Sequence, residues 1–320
     1  MRHLCVLPLL TITMLAQTPP SVFGVPAPRA PAKSFITIYD VAKKTRTVVY
    51  TAGFVMEAPN WSPDGKYLLL NGNGKMWRLE LAGPGAKPVE IPSPTPVNND
   101  HGISRDGKLL AMTVRSGPKA AAQVWISDSD GKNPRLVTPG YPSFYHGWSP
   151  DGKWLAFTGE RNGNVDIYRV PAAGGPEERL TTEPKYDDGA DYSPDGKWIY
   201  INTLRSGNFD IWRLPAQGAG PSDKLAQQVT SDAGEDWFPH PSPDGKWMVF
   251  VTFPAGTQGH PPNLPVQLRM MPLPGGKLRA AKPGTVASFL GGQGTINVNS
   301  WSPDSKKFAF VSYELLPEAK

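Results

Sequence analysis

Four histidines lie beyond the first 24 residues: His101, His146, His240 and His260. Three of them fall just ahead of a recurring serine. His101 and His146 stand three residues before Ser104 and Ser149. His240 stands two before Ser242, so in an extended strand its ring faces the other way. Carboxylates and amides sit beside them in the chain: Asn98, Asn99 and Asp100, then Asp187, Asp188 and Asp191, then Glu235 and Asp236, then Asn297 and Asn299. Imidazole with carboxylate suits a divalent Mn, Fe or Zn ion, and His101, His146 and His240 are the candidate ligands. The same groups suit general acid–base work near neutral pH. The plainer alternative is that each ring satisfies a strand-end carbonyl or a neighbouring Asp. No tight ligand spacing such as H-E-x-x-H is present.

Three arginines recur in similar settings: Arg115-Ser116-Gly117, Arg161-Asn162-Gly163 and Arg205-Ser206-Gly207. A guanidinium there could hold a ligand carboxylate or sulfate; an ion pair with a neighbouring Asp is the plainer and preferred reading. Tyr145 adjoins His146, and Trp237, beside Asp236, could stack on a sugar ring. Other chemistry has no support. The chain has no G-x-S-x-G elbow, and its one cysteine is Cys5, which excludes a disulfide framework and a Cys-based zinc site. Gly291-Gly292-Gln293-Gly294-Thr295 lacks the lysine and following helix of a phosphate loop. It reads as a loop that brings Gln293 toward the same region.

What positions these residues is a repeat. Trp61-Ser62-Pro63-Asp64-Gly65-Lys66 returns with Ser104, Ser149, Ser193, Ser242 and Ser302 in the place of Ser62. The interval is about 45 residues, with a longer last one. Pro presets the first turn corner, Asp bonds back to the backbone, and Gly takes the left-handed position, so each copy is a tight hairpin. Alternating runs follow, such as Trp154-Leu155-Ala156-Phe157 and Trp198-Ile199-Tyr200-Ile201. Third strands follow in turn, such as Asp166-Ile167-Tyr168-Arg169, and short fourth strands such as Glu178-Arg179-Leu180-Thr181. Four strands per repeat, six times, predict an all-β, six-bladed β-propeller. The sixth repeat stops after Phe308–Ser312, and the amino-terminal runs 35–39 and 45–49 supply the missing pair. The last blade is therefore expected to draw on both chain ends, closing the ring.

In such a ring the first strand of each blade lines the central channel, and the S-P-D-G turn lies at one mouth. The starts of the first strands and the second-to-third strand loops, which carry Arg115, Arg161 and Arg205, lie at the other. Asn99, Asp100, His101, Tyr145, His146, Asp187, Asp188, Asp236, Trp237 and His240 are expected to gather at that second mouth. His260, in the insertion Gly256-Thr257-Gln258-Gly259-His260, joins them.

The W-S-P-D-G-K repeat resembles the WD-like propeller repeat of the TolB family, over about Ser34 to Tyr313. Arg105 replaces the proline in blade 2, and Ser305 the glycine in blade 6. TolB itself is periplasmic and has an α/β domain ahead of its propeller; here a signal and linker precede Ser34. The resemblance implies a binding module for a protein, peptide or glycan at the channel mouth. Oligogalacturonate lyases have a similar Ser-Pro-Asp-Gly repeat, and Phe238-Pro239-His240-Pro241 is similar to theirs. That alternative implies a metal-dependent carbohydrate-active enzyme, with the metal on the substrate uronate.

Composition agrees with a folded β-rich chain. Thirty-three Gly and 36 Pro favour turns, while 39% hydrophobic residues and 10 Trp furnish a core. The net charge of +5 is dispersed, with no Lys/Arg block, which argues against a nucleic-acid partner. Arg2 and His3 precede the apolar run Leu4 to Ala16, too short to span a membrane and fitting a secretory signal over 1–24, cleaved after Ala16 or Gly24. Residues 25–33 read as a Pro/Ala-rich linker and 34–320 as the propeller. The expected product is a periplasmic or secreted monomer with no transmembrane segment after signal removal.

Overall fold

Each repeat turn is held by its serine. In a computed structural model, which describes residues 30–83, 85–273 and 282–317, Ser62 Oγ donates to Asp64 Oδ1 at 2.8 Å and accepts from the Lys66 and Tyr67 amides at 3.0 Å. The Gly65 amide donates to Ser62 O at 2.9 Å, and Gly65 adopts a φ of +76°. The serine–aspartate bond recurs in all six turns at 2.6–2.8 Å. Ser305 keeps the same left-handed corner with a φ of +60°. The serine hydroxyl and the lysine amide hold Asp64, Asp106, Asp151 and Asp304 below the usual carboxylate range. At Asp195 and Asp244 burial opposes this, and the same bonds outweigh it.

Hairpins built on these turns make six sheets. The amino-terminal strands are β1 (Ala32–Asp40) and β2 (Thr45–Ala52). Blade 1 holds β3 (Met56–Trp61), β4 (Tyr67–Gly72), β5 (Lys75–Glu80) and β6 (Val89–Ile91). Blade 2 holds β7 (Val97–Ile103), β8 (Leu109–Val114), β9 (Gln123–Asp128) and β10 (Arg135–Leu136). Blade 3 holds β11 (Ser143–Trp148), β12 (Trp154–Arg161), β13 (Asn164–Pro171) and β14 (Glu178–Arg179). Blade 4 holds β15 (Asp187–Tyr192), β16 (Trp198–Thr203), β17 (Asp210–Pro215) and β18 (Gln227–Gln228). Blade 5 holds β19 (Glu235–Pro241), β20 (Trp247–Phe253), β21 (Pro262–Pro272) and β22 (Gly284–Gly292). Within blades 1–5 each strand pairs antiparallel with the next.

The sixth blade is built from both ends of the chain. β23 (Lys307–Leu315) pairs antiparallel with β1, from Ala32 opposite Leu315 to Asp40 opposite Lys307, and β1 pairs with β2. Ala32 and Lys33, expected in the linker, are thus the first residues of the closing strand. The innermost element of this blade is irregular: Ala309 and Val311 donate to Ser300 and Thr295 at 3.0 and 3.1 Å, and Trp301 bridges to Phe308. The expected signal, and the linker up to residue 29, lie outside the described residues.

The core lies in the seams between blades. One apolar cluster fills each seam, as with Ala111, Ile126, Trp148 and Phe157 between blades 2 and 3. Another joins Tyr200 and Ile211 to Met248 and Phe250 between blades 4 and 5. Trp148 and Trp301 reach into the preceding blade, donating to Gly102 O at 2.8 Å and His240 O at 3.0 Å. On the outside, an arginine of the third strand covers an aromatic of the second: Arg78 on Tyr67 at 3.8 Å, Arg169 on Trp154 at 4.2 Å and Arg213 on Trp198 at 4.0 Å.

Candidate functional site

The inner strands converge on the ring axis, and each of β3, β7, β11, β15 and β19 carries a register shift. Such bulges interrupt the period-two alternation and re-aim the side chains around them. Two registers then have different uses. Three residues before the repeat serine stand His101, His146 and Asn299, which line a cavity of about 290 Å³. Two before it stand Asn60, Asp191 and His240, which tie blades together, Asn60 and Asp191 lining the cavity as well. Asn60 Nδ2 donates to Asn299 O at 2.7 Å, and its Oδ1 accepts from the Ile103 amide at 3.0 Å. His240 Nδ1 lies 3.0 Å from Asp191 Oδ2, and its Nε2 donates to Ile296 O at 2.6 Å. Asn299 Nδ2 donates to the same Asp191 oxygen at 2.9 Å.

Glycines occupy this second register where neighbours come closest. A Cβ on Gly102 would stand 2.5 Å from the Tyr145 hydroxyl, and one on Gly147 2.9 Å from Ala190 O. Both positions admit only a hydrogen where the blades meet.

The cavity opens at the turn face. Its walls include Tyr145, His146 and Trp148 within the channel, and Pro63, Arg105, Pro243 and Pro303 of the repeat turns at the rim. This corrects the expected mouth. A residue three before the serine lies partway along a strand of six or seven residues, so His101 and His146 stand inside the channel on the way to the turns.

The far end is spanned by a polar layer. Asp188 Oδ1 accepts from Thr158 Oγ1 at 2.7 Å and lies 2.8 Å from His146 Nε2, while its Oδ2 accepts from the Tyr186 hydroxyl at 3.0 Å. His260 Nε2 lies 3.6 Å from Asp188 Oδ2, and its Nδ1 contacts Gln293 Oε1. Gln293 Nε2 donates to Asn99 Oδ1 at 3.1 Å, and Asn99 Nδ2 to Glu57 Oε1 at 3.3 Å. Asn98 caps Asp100, donating from Nδ2 to Oδ2 at 2.5 Å. Burial alone would raise Asp188, but the charge and contact of His146, with His260, hold it well below its ordinary value. Burial would lower His146; Asp188 outweighs it, so the ring is shifted up. Burial pushes His101 down to about 4 and Asp100 up to about 6. Backbone groups of Leu69 and Ala58 favour charged His101, yet neither ring nitrogen has an aligned hydrogen-bond partner.

The other expected residues separate from this site. Trp237 has no exposed face: it is fully buried, 4.1 Å from the Phe209 ring and 4.5 Å from His260, and cannot stack on a sugar. Arg161 pairs with Glu177 at 2.9 Å, and Arg205 with Asp187 at 3.0 Å and Asp223 at 3.2 Å, so both close loops. Arg115 is half-buried and makes no ion pair with a described residue; burial lowers its pKa, against the charge of Asp100. Asp236 accepts from Thr252 Oγ1 at 2.6 Å beside Arg269, away from the cavity walls. The three candidate metal ligands do not form a donor set. Both His240 nitrogens are engaged, and no group of three His, Cys, Asp or Glu among the described residues is arranged to hold an ion. The residues therefore do not fit a bound divalent metal. Asn60, which the sequence reading passed over, was findable as an occupant of the register that Asp191 and His240 share; the rim position of Arg105 was not, because its sequence signal is only a departure from the repeat.

Residues 142–261 match the model of the TolB beta propeller domain. An uncharacterized protein of Agrobacterium fabrum is 43% identical over 289 residues, which is 89% of this chain and 94% of that protein. A solved structure from Agrobacterium tumefaciens, provisionally described as TolB, superposes with a TM-score of 0.83 at 41% identity, covering 89% of this chain and 99% of that one. The crystal structure of TolB from Acinetobacter baumannii shares the fold, with a TM-score of 0.60 at 18% identity over 82% of this chain and 65% of that one. The Tol-Pal system protein TolB of Xanthomonas campestris is 37% identical over 68 residues, 21% of this chain and 16% of its own length.

Proposed function

The chain belongs to the TolB β-propeller family, and we propose from this that it is a periplasmic or secreted binding module whose ligand, a segment of a partner protein, enters the central cavity from the turn face. The observation that carries this reading is the asymmetry of the channel. One end is an open funnel rimmed by Pro63, Arg105, Pro243 and Pro303. The other is crossed by the hydrogen-bonded layer of Asp188, His260, Gln293 and Asn99. The cavity is at the lower limit of an ordinary ligand pocket and mixes apolar with polar walls, which suits one inserted segment better than a large soluble ligand. Rigid strands carry its lining, so little ordering is needed on binding. Among the described residues no helix is long and apolar enough to cross a membrane.

The test uses peptides selected on the wild-type protein from a phage-displayed library. Their affinity should fall more than roughly tenfold in Pro303→Trp, which narrows the rim, and stay unchanged in Leu136→Trp on the outer edge of blade 2. Equal affinity in Pro303→Trp would refute entry at the turn face. Location is read from the same expression: the periplasmic fraction should yield protein beginning after Ala16 or Gly24, and intact Met1 in the cytosolic fraction alone would contradict it.

A further inference from the structure

The turn face has a regular seam contact with one gap in it. In four seams the turn proline of one blade covers the turn glycine of the next. A Cβ on Gly65 would stand 3.6 Å from Pro303, on Gly107 3.9 Å from Pro63, on Gly196 3.7 Å from Pro150 and on Gly245 4.0 Å from Pro194. In the fifth seam Ser305 replaces the glycine, and its Oγ accepts from the Asp244 amide at 2.9 Å. In the sixth, between blades 2 and 3, Arg105 stands where the proline would be, and a Cβ on Gly152 would meet nothing within 4 Å. Of the six turn contacts, this one alone lacks a cover.

Arg105 stands at the cavity rim instead. It is exposed, lines the cavity with Tyr145, His146, Asp191 and Asn299, and makes no hydrogen bond or ion pair with a described residue. The turn lysines differ: Lys66, Lys108, Lys153, Lys197, Lys246 and Lys306 each lie 3.3–3.9 Å from the aspartate two residues earlier. A guanidinium presents a planar fork of donors that matches a carboxylate bidentately, unlike the ammonium groups around it.

We propose that Arg105 is the anion anchor of the cavity. The inserted segment places a carboxylate, from an acidic side chain or from its own carboxy terminus, against Arg105 at the rim, and its remainder descends toward Asn299 and Asp191. This deepens the binding reading and rests on it.

The probe is a positional-scanning hexapeptide library, made both as free acids and as carboxy-terminal amides, followed by anisotropy titration of the resynthesised binders. Wild-type protein should bind the acid form roughly tenfold more tightly than its amide or Glu→Gln counterpart. Dependence on the terminal amide or on the internal Gln identifies the source of the carboxylate. Arg105→Pro restores the repeat residue, so its thermal unfolding should match wild type while the acid preference disappears; Arg105→Lys should keep part of it. Acid preference surviving in Arg105→Pro, or peptides bound by wild type with no acid preference, would overturn the anchor and leave the cavity reading standing. No binder at all from the library would remove both.

Discussion

Asp236 shows how far a residue's surroundings can override its type. Its side chain is fully buried, only Oδ1 has partners, and burial pushes the carboxyl up to about 7. A folded-state pKa above the unfolded one adds stability that is full below about 3.8 and is lost as pH rises through about 7. Wild-type stability should therefore decline over that window relative to Asp236→Asn, whose amide does not titrate. Denaturant unfolding at several pH values checks this, and parallel curves would contradict it. The six turn aspartates act in the opposite sense. Held below 3.8, they stabilise the fold above that pH and lose the contribution as acid protonates them. Trp237 teaches the same lesson. Its neighbour in sequence is a carboxylate, but its neighbours in space are Phe209, Phe238 and His260.

At the scale of elements, what could be read from the chain was whatever is written locally. The Ser-Pro-Asp-Gly segment specifies its own turn through bonds between residues two to five apart, so all six turns and the hairpins on them were legible. The closing blade was legible because β23 lacked partners and the runs at 35–39 and 45–49 had the matching pattern. The direction of the inner-strand side chains was only partly so. The bulges in β3, β7, β11, β15 and β19 depend on what the adjacent blade offers, and no repeat residue announces them. Hence His240 could be seen to differ from His101 and His146, but not that it would bond Asp191 on one side and Ile296 on the other. The outer strands shrink to two residues in blades 2, 3 and 4, which leaves little bare edge for another chain.

At the scale of the whole molecule, six similar sheets make a ring whose symmetry is broken at places that matter. The blade 5 insertion carries His260 to one end of the channel, and Arg105 interrupts the proline cover of the turns at the other. Binding energy at such a site comes from a few desolvated contacts rather than from area, so the funnel's small size is no obstacle to selective capture. The two faces make opposite predictions for where a ligand touches. Hydrogen–deuterium exchange of the wild-type protein, with and without a peptide selected on it, separates them most directly. Slowed exchange is expected at amides in 61–67, 105–109, 145–149 and 299–307, the turns and the strand ends that feed them. Protection confined to 115–122, 161–164, 205–208 and 254–261, the loops of the opposite face, would contradict it.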